Sequence, residues 1–317
     1  MYQQIHEYIL SHQVIIIHRH INPDGDAIGS QLGLKEILKI TFPDKLIFAV
    51  GDASSKYEFL GKMDDVPKDL FFNALVIVLD SSDTKLISDE RYQLAKTIIK
   101  IDHHVPVTNY GHINLVDTNE ISCASLIAKI TQKLKYQWNK EAARALFVGI
   151  VSDSNRFYYN GVNSQTFHIA SLLTKFPFSL DEVYEKMYLQ PLKFARLRAS
   201  FVLKFQLTHH NVAYHMTPMS EWKNYGVDLQ TISRGMVNTM SGIEGIYIWV
   251  NFTEDDDKKV IAEIRSNRFN INVVAQKYGG GGHPFASGAY LNSFEEAAQM
   301  LQDLDQIMEG KNESKKG

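Results

Sequence analysis

His20-Ile21-Asn22-Pro23-Asp24-Gly25-Asp26-Ala27-Ile28-Gly29-Ser30 places one imidazole and two carboxylates within seven positions, directly after the apolar run Val14-Ile15-Ile16-Ile17. A short Val/Ile run closed by a polar Asn-Pro-Asp-Gly turn predicts a buried strand ending in a loop. The next stretch, 27–40, has helical apolar spacing, with Ile28, Leu32 and Leu38 facing inward. The three ligand-type side chains thus stand at the carboxyl end of a strand beside a helix N-terminus, where open α/β sheets place their sites. Asp24 and Asp26 are too close in sequence to share one tight chelate easily, but they suit two neighbouring metal ions. An acidic turn capping the helix would account for one Asp and leave His20 unexplained.

The same arrangement recurs three times. Residues 74–79 form an apolar strand ending in Asp80, and 98–101 form another ending in Asp102-His103-His104. The helical run 140–152, with Ala143, Leu146, Phe147 and Ile150 inside, ends in Asp153. One Asp after a strand is an ordinary turn residue. Four element ends that each deliver Asp or His indicate a shared site.

Outward from that core, strand and helix signals alternate: a short amphipathic helix over 1–13, strand 46–50, a loop over 51–66, a helix near 91–96, then helices at 124–134, 140–152 and 164–175. Such alternation predicts an α/β unit with a mostly parallel sheet flanked by helices. Asp64, within the 51–66 loop, is expected to tolerate alanine. Phe176-Pro177-Phe178-Ser179 breaks the pattern, and Ser179 with Glu182 has the spacing of a capping box. From residue 205 antiparallel-looking strands take over (205–208, 212–216, 246–250, 260–264), with a solvated turn at 253–259. A helix near 271–277, the glycines Gly279 to Gly282, His283, a strand near 289–291 and a helix at 294–308 follow. The expected organisation is a catalytic domain over 1–180, a helical linker over 181–204, and a smaller α/β domain with a mixed sheet over 205–310. Residues 311–317 are expected to be a disordered tail.

The chain has 317 residues, enough for two domains, and 44% hydrophobic with 22% charged residues is ordinary for a globular protein. No apolar stretch approaches the ~20 residues of a membrane span, and the first residues lack the pattern of a signal peptide. A single cysteine excludes an intramolecular disulfide and a thiolate zinc cluster, which points to the cytoplasm. A net charge of −3 argues against a stable grip on long nucleic acid. An anionic substrate has to be held locally, by metal ions and a few cationic side chains. The glycine run is no Walker loop, because no Gly-Lys-Ser/Thr follows it. Its N–H groups can approach a phosphate closely, and a plain hinge would not explain the His at its end.

These motifs, in this order, resemble the DHH phosphoesterase family, in the subgroup that carries a DHHA1 domain. The residues are His20-x-Asn-Pro-Asp24-Gly-Asp26, Asp80, Asp102-His103-His104, Ser152-Asp153-Ser154, Arg265-Ser266 and 279–283. One departure, Ser154-Asn155 where the subgroup often shows Thr-Gly, touches no expected ligand. The resemblance implies a water activated by two divalent ions, with Mn²⁺ expected and Mg²⁺ or Co²⁺ able to serve. It implies His20 and Asp24 on one ion, Asp26, His103 and Asp153 on the other, and Asp80 bridging both. His104 would face the substrate phosphate, stabilising charge or protonating the leaving oxygen. Asp102 would orient a histidine by hydrogen bonding. Asn22, Arg156, Arg265, Gly280, Gly281, Gly282 and His283 are the expected substrate contacts, in a cleft between the domains. The size and domain pairing resemble stand-alone nanoRNases that also remove phosphate from 3′-phosphoadenosine 5′-phosphate (pAp), and relatives that hydrolyse pApA in cyclic di-AMP turnover. Short RNA or nucleotides are the expected partners, with no membrane and with room for a homodimer. The alternatives are an inorganic pyrophosphatase, a RecJ-like exonuclease and a non-catalytic nucleotide-binding regulator.

Overall fold

In a computed structural model that describes residues 1–159 and 161–314, the chain forms two compact units, Met1–Leu189 and from Gln190 onward. Five strands make the first sheet: β1 (Val14–His18), β2 (Leu46–Ala49), β3 (Leu75–Leu79), β4 (Thr97–Asp102) and β5 (Ile113–Val116). All four pairings are parallel, in the order β2-β1-β3-β4-β5. Every residue of β3 is buried, as a central strand covered on both faces requires. The chain's direction across the sheet reverses at β1, whose successor β2 lies on one side and β3 on the other. Loops at such a reversal splay apart at the carboxyl edge and leave a crevice there.

The first unit's helices are α1 (Tyr2–Ser11), α2 (Gly25–Thr41), α3 (Cys123–Lys133), α4 (Lys140–Asp153), α5 (Ser164–Leu173) and α6 (Leu180–Tyr188). Helix α2 starts two residues earlier than its apolar spacing suggests. Asp24 is its N-cap, its Oδ1 accepting from the N–H groups of Asp26 and Ala27 at 3.0 Å each. Helices α2 and α4 approach so closely that a Cβ on Gly29 would sit 2.4 Å from the Ala145 carbonyl oxygen, and one on Gly149 would sit 2.8 Å from Asp26 Oδ1. Larger residues at either position would force α4, and with it Asp153, away from Asp26. The segment expected to be helical near 91–96 is a short 3₁₀ turn, Glu90–Leu94. Asp64 is no free loop carboxylate, because it accepts from the Ala49 N–H at 2.7 Å and pairs with the buried Lys35 at 2.6 Å. Its loss would leave a buried ammonium unpaired.

The second unit holds α7 (Leu192–Lys204), β6 (Gln206–Leu207), β7 (Ala213–Thr217), α8 (Met219–Trp222), α9 (Leu229–Ser233), β8 (Ile248–Glu254), β9 (Val260–Ser266), α10 (Asn272–Lys277), β10 (Gly281–His283), β11 (Ala286–Leu291) and α11 (Phe294–Ser314). Its six strands run in the order β10-β11-β9-β8-β7-β6. The sheet is mixed because β7 and β8 pair in parallel, where antiparallel pairing was expected. Residues 218–247 supply the crossover that parallel neighbours need. The polar end expected to be disordered is helical as far as Ser314, while 315–317 lie outside the described residues. No helix among the described residues is long and apolar enough to cross a membrane.

Candidate metal centre

The carboxyl ends of β1, β3 and β4 and the end of α4 bring His20, Asp24, Asp26, Asp80, His103, His104 and Asp153 into one cluster. Ligand atoms of His20, Asp24 and Asp80 lie within 4.8 Å of one another, as do those of Asp26, His103 and Asp153, and those of Asp80, His103 and His104. Asp80 is 2% exposed and leaves β3 in a left-handed conformation (φ 53°) that few non-glycine residues adopt. Asn22 (φ 49°) and the run Asn155, Arg156, Phe157 (φ 46°, 62°, 64°) share this conformation. Backbone strain is thus gathered next to the cluster, as it commonly is at working sites.

Local contacts fix which atom each ring offers. His20 Nδ1 lies 2.7 Å from the Ile21 carbonyl oxygen and His103 Nδ1 lies 3.3 Å from that of Glu120, so both rings donate there and turn Nε2 to the carboxylates. His20 Nε2 stands 3.4 Å from Asp80 Oδ2 and 3.9 Å from Asp24 Oδ1. His103 Nε2 stands 3.3 Å from Asp153 Oδ2, 3.4 Å from Asp80 Oδ1 and 3.7 Å from Asp26 Oδ2. Buried Asp80 Oδ1 and His103 Nε2 have no hydrogen-bond partner. Direct hydrogen bonds would close to about 2.7–3.0 Å. Two donors on one ion, each ~2.1 Å from it at 90–110°, stand roughly 3.0–3.5 Å apart. The observed spacing and the orphaned atoms fit shared cations, and the donor set of carboxylates and imidazoles without thiolate fits a hard divalent ion.

Electrostatics agree. Burial opposes the charged form of His103, but Asp153 and Asp80 outweigh it and push its pKa up to about 12. Against the same burial, Asp80 pushes His20 up to about 9. Asp80 itself is held well below the usual carboxylate range by His103 and His20, despite its burial. Burial, and then the charges of Asp80 and Asp153, raise Asp26 well above that range. Four carboxylates crowd two imidazoles, so the cluster demands positive charge. Protons and metal ions compete for these lone pairs.

Two supports, the backbone contacts of Asp26 and the buried Lys100, were not apparent from the sequence, whereas Asp102 was expected to orient a histidine. Both oxygens of the fully buried Asp26 accept from the start of α3, Oδ2 from Cys123 N–H at 2.6 Å and Oδ1 from Ala124 N–H at 2.8 Å. Asp102 Oδ1 accepts from the backbone N–H groups of His103 (2.9 Å) and His104 (3.2 Å), and pairs with His104 Nδ1 at 2.9 Å. That contact raises the His104 pKa. It also leaves Nε2 free on a side chain 48% exposed. Lys100, fully buried, lies 3.4 Å from Asp102 Oδ2 and donates to the carbonyl oxygens of Ser82 (3.1 Å) and Thr108 (3.2 Å). Its only trace in the sequence is a charge inside the apolar run Ile98-Ile99-Lys100-Ile101.

Of the expected substrate contacts, Asn22 and Arg156 lie in this unit, both exposed, with the Arg156 guanidinium 5.0 Å over the Tyr188 ring. The others belong to the second unit. Arg265 is already engaged, with Nη2 on Glu263 Oε2 at 2.9 Å and Nη1 on the Ile264 carbonyl oxygen at 2.9 Å. Residues Gly281–His283 form β10 on the sheet edge, not a free loop. A Cβ on Gly280 would sit 2.1 Å from the Gly288 carbonyl oxygen, whereas one on Gly281 would meet nothing within 4 Å. Strand packing therefore requires the first glycine and leaves Gly281 open, beside the exposed His283.

The family models agree with this layout: residues 14–150 match the DHH family N-terminal domain, and 226–310 match the DHHA1 domain. The chain is 36% identical over 299 residues to the bifunctional oligoribonuclease and PAP phosphatase NrnA of Bacillus subtilis, covering 93% of this chain and 95% of that one. The chain belongs to the DHH phosphoesterase family. DHH phosphoesterases are metal-dependent hydrolases, and the cluster in this DHH domain can bind metal. The NrnA of Mycoplasma pneumoniae is 31% identical over 307 residues, covering 93% of each chain. An exopolyphosphatase-related protein from Bacteroides fragilis shares the DHH–DHHA1 fold over all of this chain and 97% of its own, with a TM-score of 0.86 at 24% identity.

Proposed function

We propose that this DHH phosphoesterase hydrolyses very short oligoribonucleotides and pAp, using two divalent metal ions, of which Mn²⁺ is the expected one. The observation that carries this reading is the pair of ligand trios, His20-Asp24-Asp80 and Asp26-His103-Asp153, in a chain that aligns over nearly its whole length with oligoribonuclease and PAP phosphatases. His20 and Asp24 would hold one ion, Asp26, His103 and Asp153 the other, with Asp80 shared. Bound there, the ions supply Lewis acidity and a clamp for the attacking and leaving oxygens.

The chain's own groups do the rest. Asp102 keeps the His104 proton on Nδ1 and orients the ring, and Lys100 neutralises the buried carboxylate behind it. His104, protonated on both ring nitrogens, then gives its Nε2 proton to the leaving ribose oxygen as that oxygen separates from phosphorus, while an attacking water bonds to phosphorus and releases a proton to solvent. In the DHHA1 domain, Arg265 and His283 would recognise a terminal phosphate, with Gly281 allowing close backbone approach. Arg156 and Asn22 would contact substrate beside the metal ligands. The likeness to a cyclic-di-AMP phosphodiesterase of Listeria monocytogenes, 24% identical and covering half of that protein, adds pApA to the substrates worth trying.

A panel with purified protein tests the proposal: RNA dimers to pentamers, pAp, pApA, cyclic di-AMP, pyrophosphate and a 30-mer, each with Mn²⁺, Mg²⁺ or Co²⁺. Fast turnover of dimers and pAp is expected. Turnover of pyrophosphate alone, or of the 30-mer as fast as the dimer, would overturn it.

A further inference from the structure

A pocket of about 340 Å³ opens in the first unit between α2 and the 3₁₀ segment Ser55–Leu60. Its walls are mainly apolar, with Ile28, Tyr57 and Met63 prominent, while Ser54 and Ser55 add hydroxyl groups. Its volume falls at the lower end of the ~300–1,000 Å³ typical of small-ligand sites. Tyr57 connects this pocket to the metal centre. Its hydroxyl would lie 3.1 Å from a Cβ built on Gly25, a position that also meets Ser152. Gly25 lies between Asp24 and Asp26, and Ser152 precedes Asp153. Ile28, on the first turns of α2, lies two residues past Asp26. The pocket thus adjoins the metal-ligand turn through Tyr57 and Ile28.

We infer that this pocket is a nucleobase subsite, taking the base of a nucleotide whose phosphate lies at the metal centre. This rests on the hydrolase reading above. The metal ligands recognise only a phosphate, so they discriminate nothing about what the phosphate joins. An adjoining apolar cavity provides that discrimination: it desolvates a flat aromatic ring, and the two serines offer hydrogen bonds to its polar edge. Lys62 and Glu58, exposed and 3.2 Å apart, pair with each other at the rim and leave the interior uncharged. An uncharged, apolar interior suits a base and does not suit a second phosphate.

The test uses the whole protein with Mn²⁺ and three substrates: an RNA dinucleotide and its two abasic counterparts, lacking the 5′ or the 3′ base. In the unaltered chain one abasic substrate should show a KM raised roughly ten-fold, within the range of base–aromatic binding. Ala53→Phe and Ala53→Trp fill the pocket from an exposed position of its lining. Each should raise the KM of the intact dinucleotide to the abasic level, with the abasic rate, metal content and melting temperature unchanged. Equal KM for intact and both abasic substrates in the unaltered chain would remove the subsite while leaving the hydrolase reading intact. So would filled variants that still prefer the intact dinucleotide. If no short RNA is cleaved with any metal, the hydrolase reading itself fails first.

Discussion

The two units treat buried and half-buried charge in opposite ways. At the carboxyl edge of the first sheet, Asp24, Asp26, Asp80 and Asp153 crowd around two imidazoles, and Asp80 Oδ1 and His103 Nε2 have no partner. In the second unit charge is satisfied within the chain: Arg265 pairs with Glu263 at 2.9 Å, Lys277 with Asp303 at 2.7 Å, and His210 with Asp305 at 2.8 Å. Among the described residues, no trio of metal-ligating side chains gathers there. Self-satisfied pairs contribute little to stability at exposed positions and leave nothing for a metal ion to complete. An unsatisfied cluster persists only where the surrounding fold holds it and a ligand completes it. The contrast separates a centre that must receive cations from a surface whose cations are already oriented.

The largest expected effect comes from removing Asp80, the carboxylate proposed to be shared by both ions, whose oxygens stand 3.4 Å from His20 Nε2 and 3.4 Å from His103 Nε2. Asp80→Ala should lose bound metal and lower kcat/KM well beyond the ~10–100-fold that loss of an outer hydrogen-bond partner costs. Metal analysis and steady-state kinetics check this, and a metal-replete, active variant would dissolve the contrast between the units. Next comes His104→Asn, which should cut kcat by about 10²–10⁴ with metal content unchanged, because only proton delivery is lost.

Arg265→Ala should be smaller and selective. It should lower kcat/KM on pAp by roughly ten- to hundred-fold, the value of a charged hydrogen bond. Bis-p-nitrophenyl phosphate, which lacks the terminal phosphate, should be hydrolysed as before. Equal slowing of both substrates would make the Arg265–Glu263 pair purely structural.

The smallest effect is on stability. His215, buried in β7 and stacked on Phe201 at 4.3 Å, has its pKa lowered, first by burial and further by Lys204, with Glu221 opposing. A histidine with a depressed folded pKa contributes stability above its ordinary value of about 6.5 and loses it as pH falls below. His215→Gln should melt lower than the parent at pH 7.5, and the gap should narrow at pH 5.5 by roughly 2–4 °C at most. A gap that widened would mean that the ring is held charged.

The alternation of Val/Ile runs with helical spacing identifies the parallel sheet of the first unit, because a two-residue period and a 3.6-residue period are local properties. The four-residue β5 at the sheet edge escaped notice, its Ile113-Asn114-Leu115-Val116 being too short to display a period. The parallel pairing of β7 with β8 escaped too, because strand direction depends on the path of residues 218–247 and not on either strand's composition. Asp64 shows the same limit within the first unit. As a letter it is one more acid in a polar loop, and only the fold sets it 2.6 Å from Lys35.

By itself the sequence determined that His20, Asp24, Asp26, Asp80, His103 and Asp153 would converge. Parallel strands carry their carboxyl ends to one edge, so residues written at those ends must meet. Tertiary structure alone decided what holds them and how. Asp26 became a buried cap for a helix 97 residues further on, Lys100 came to lie beneath Asp102, and Tyr57 came to line an apolar pocket with its hydroxyl beside Gly25 of the metal turn. The first and last of these contacts join segments remote in the chain, and packing fixes them, as it fixes the burial of Lys100, where local spacing encodes nothing.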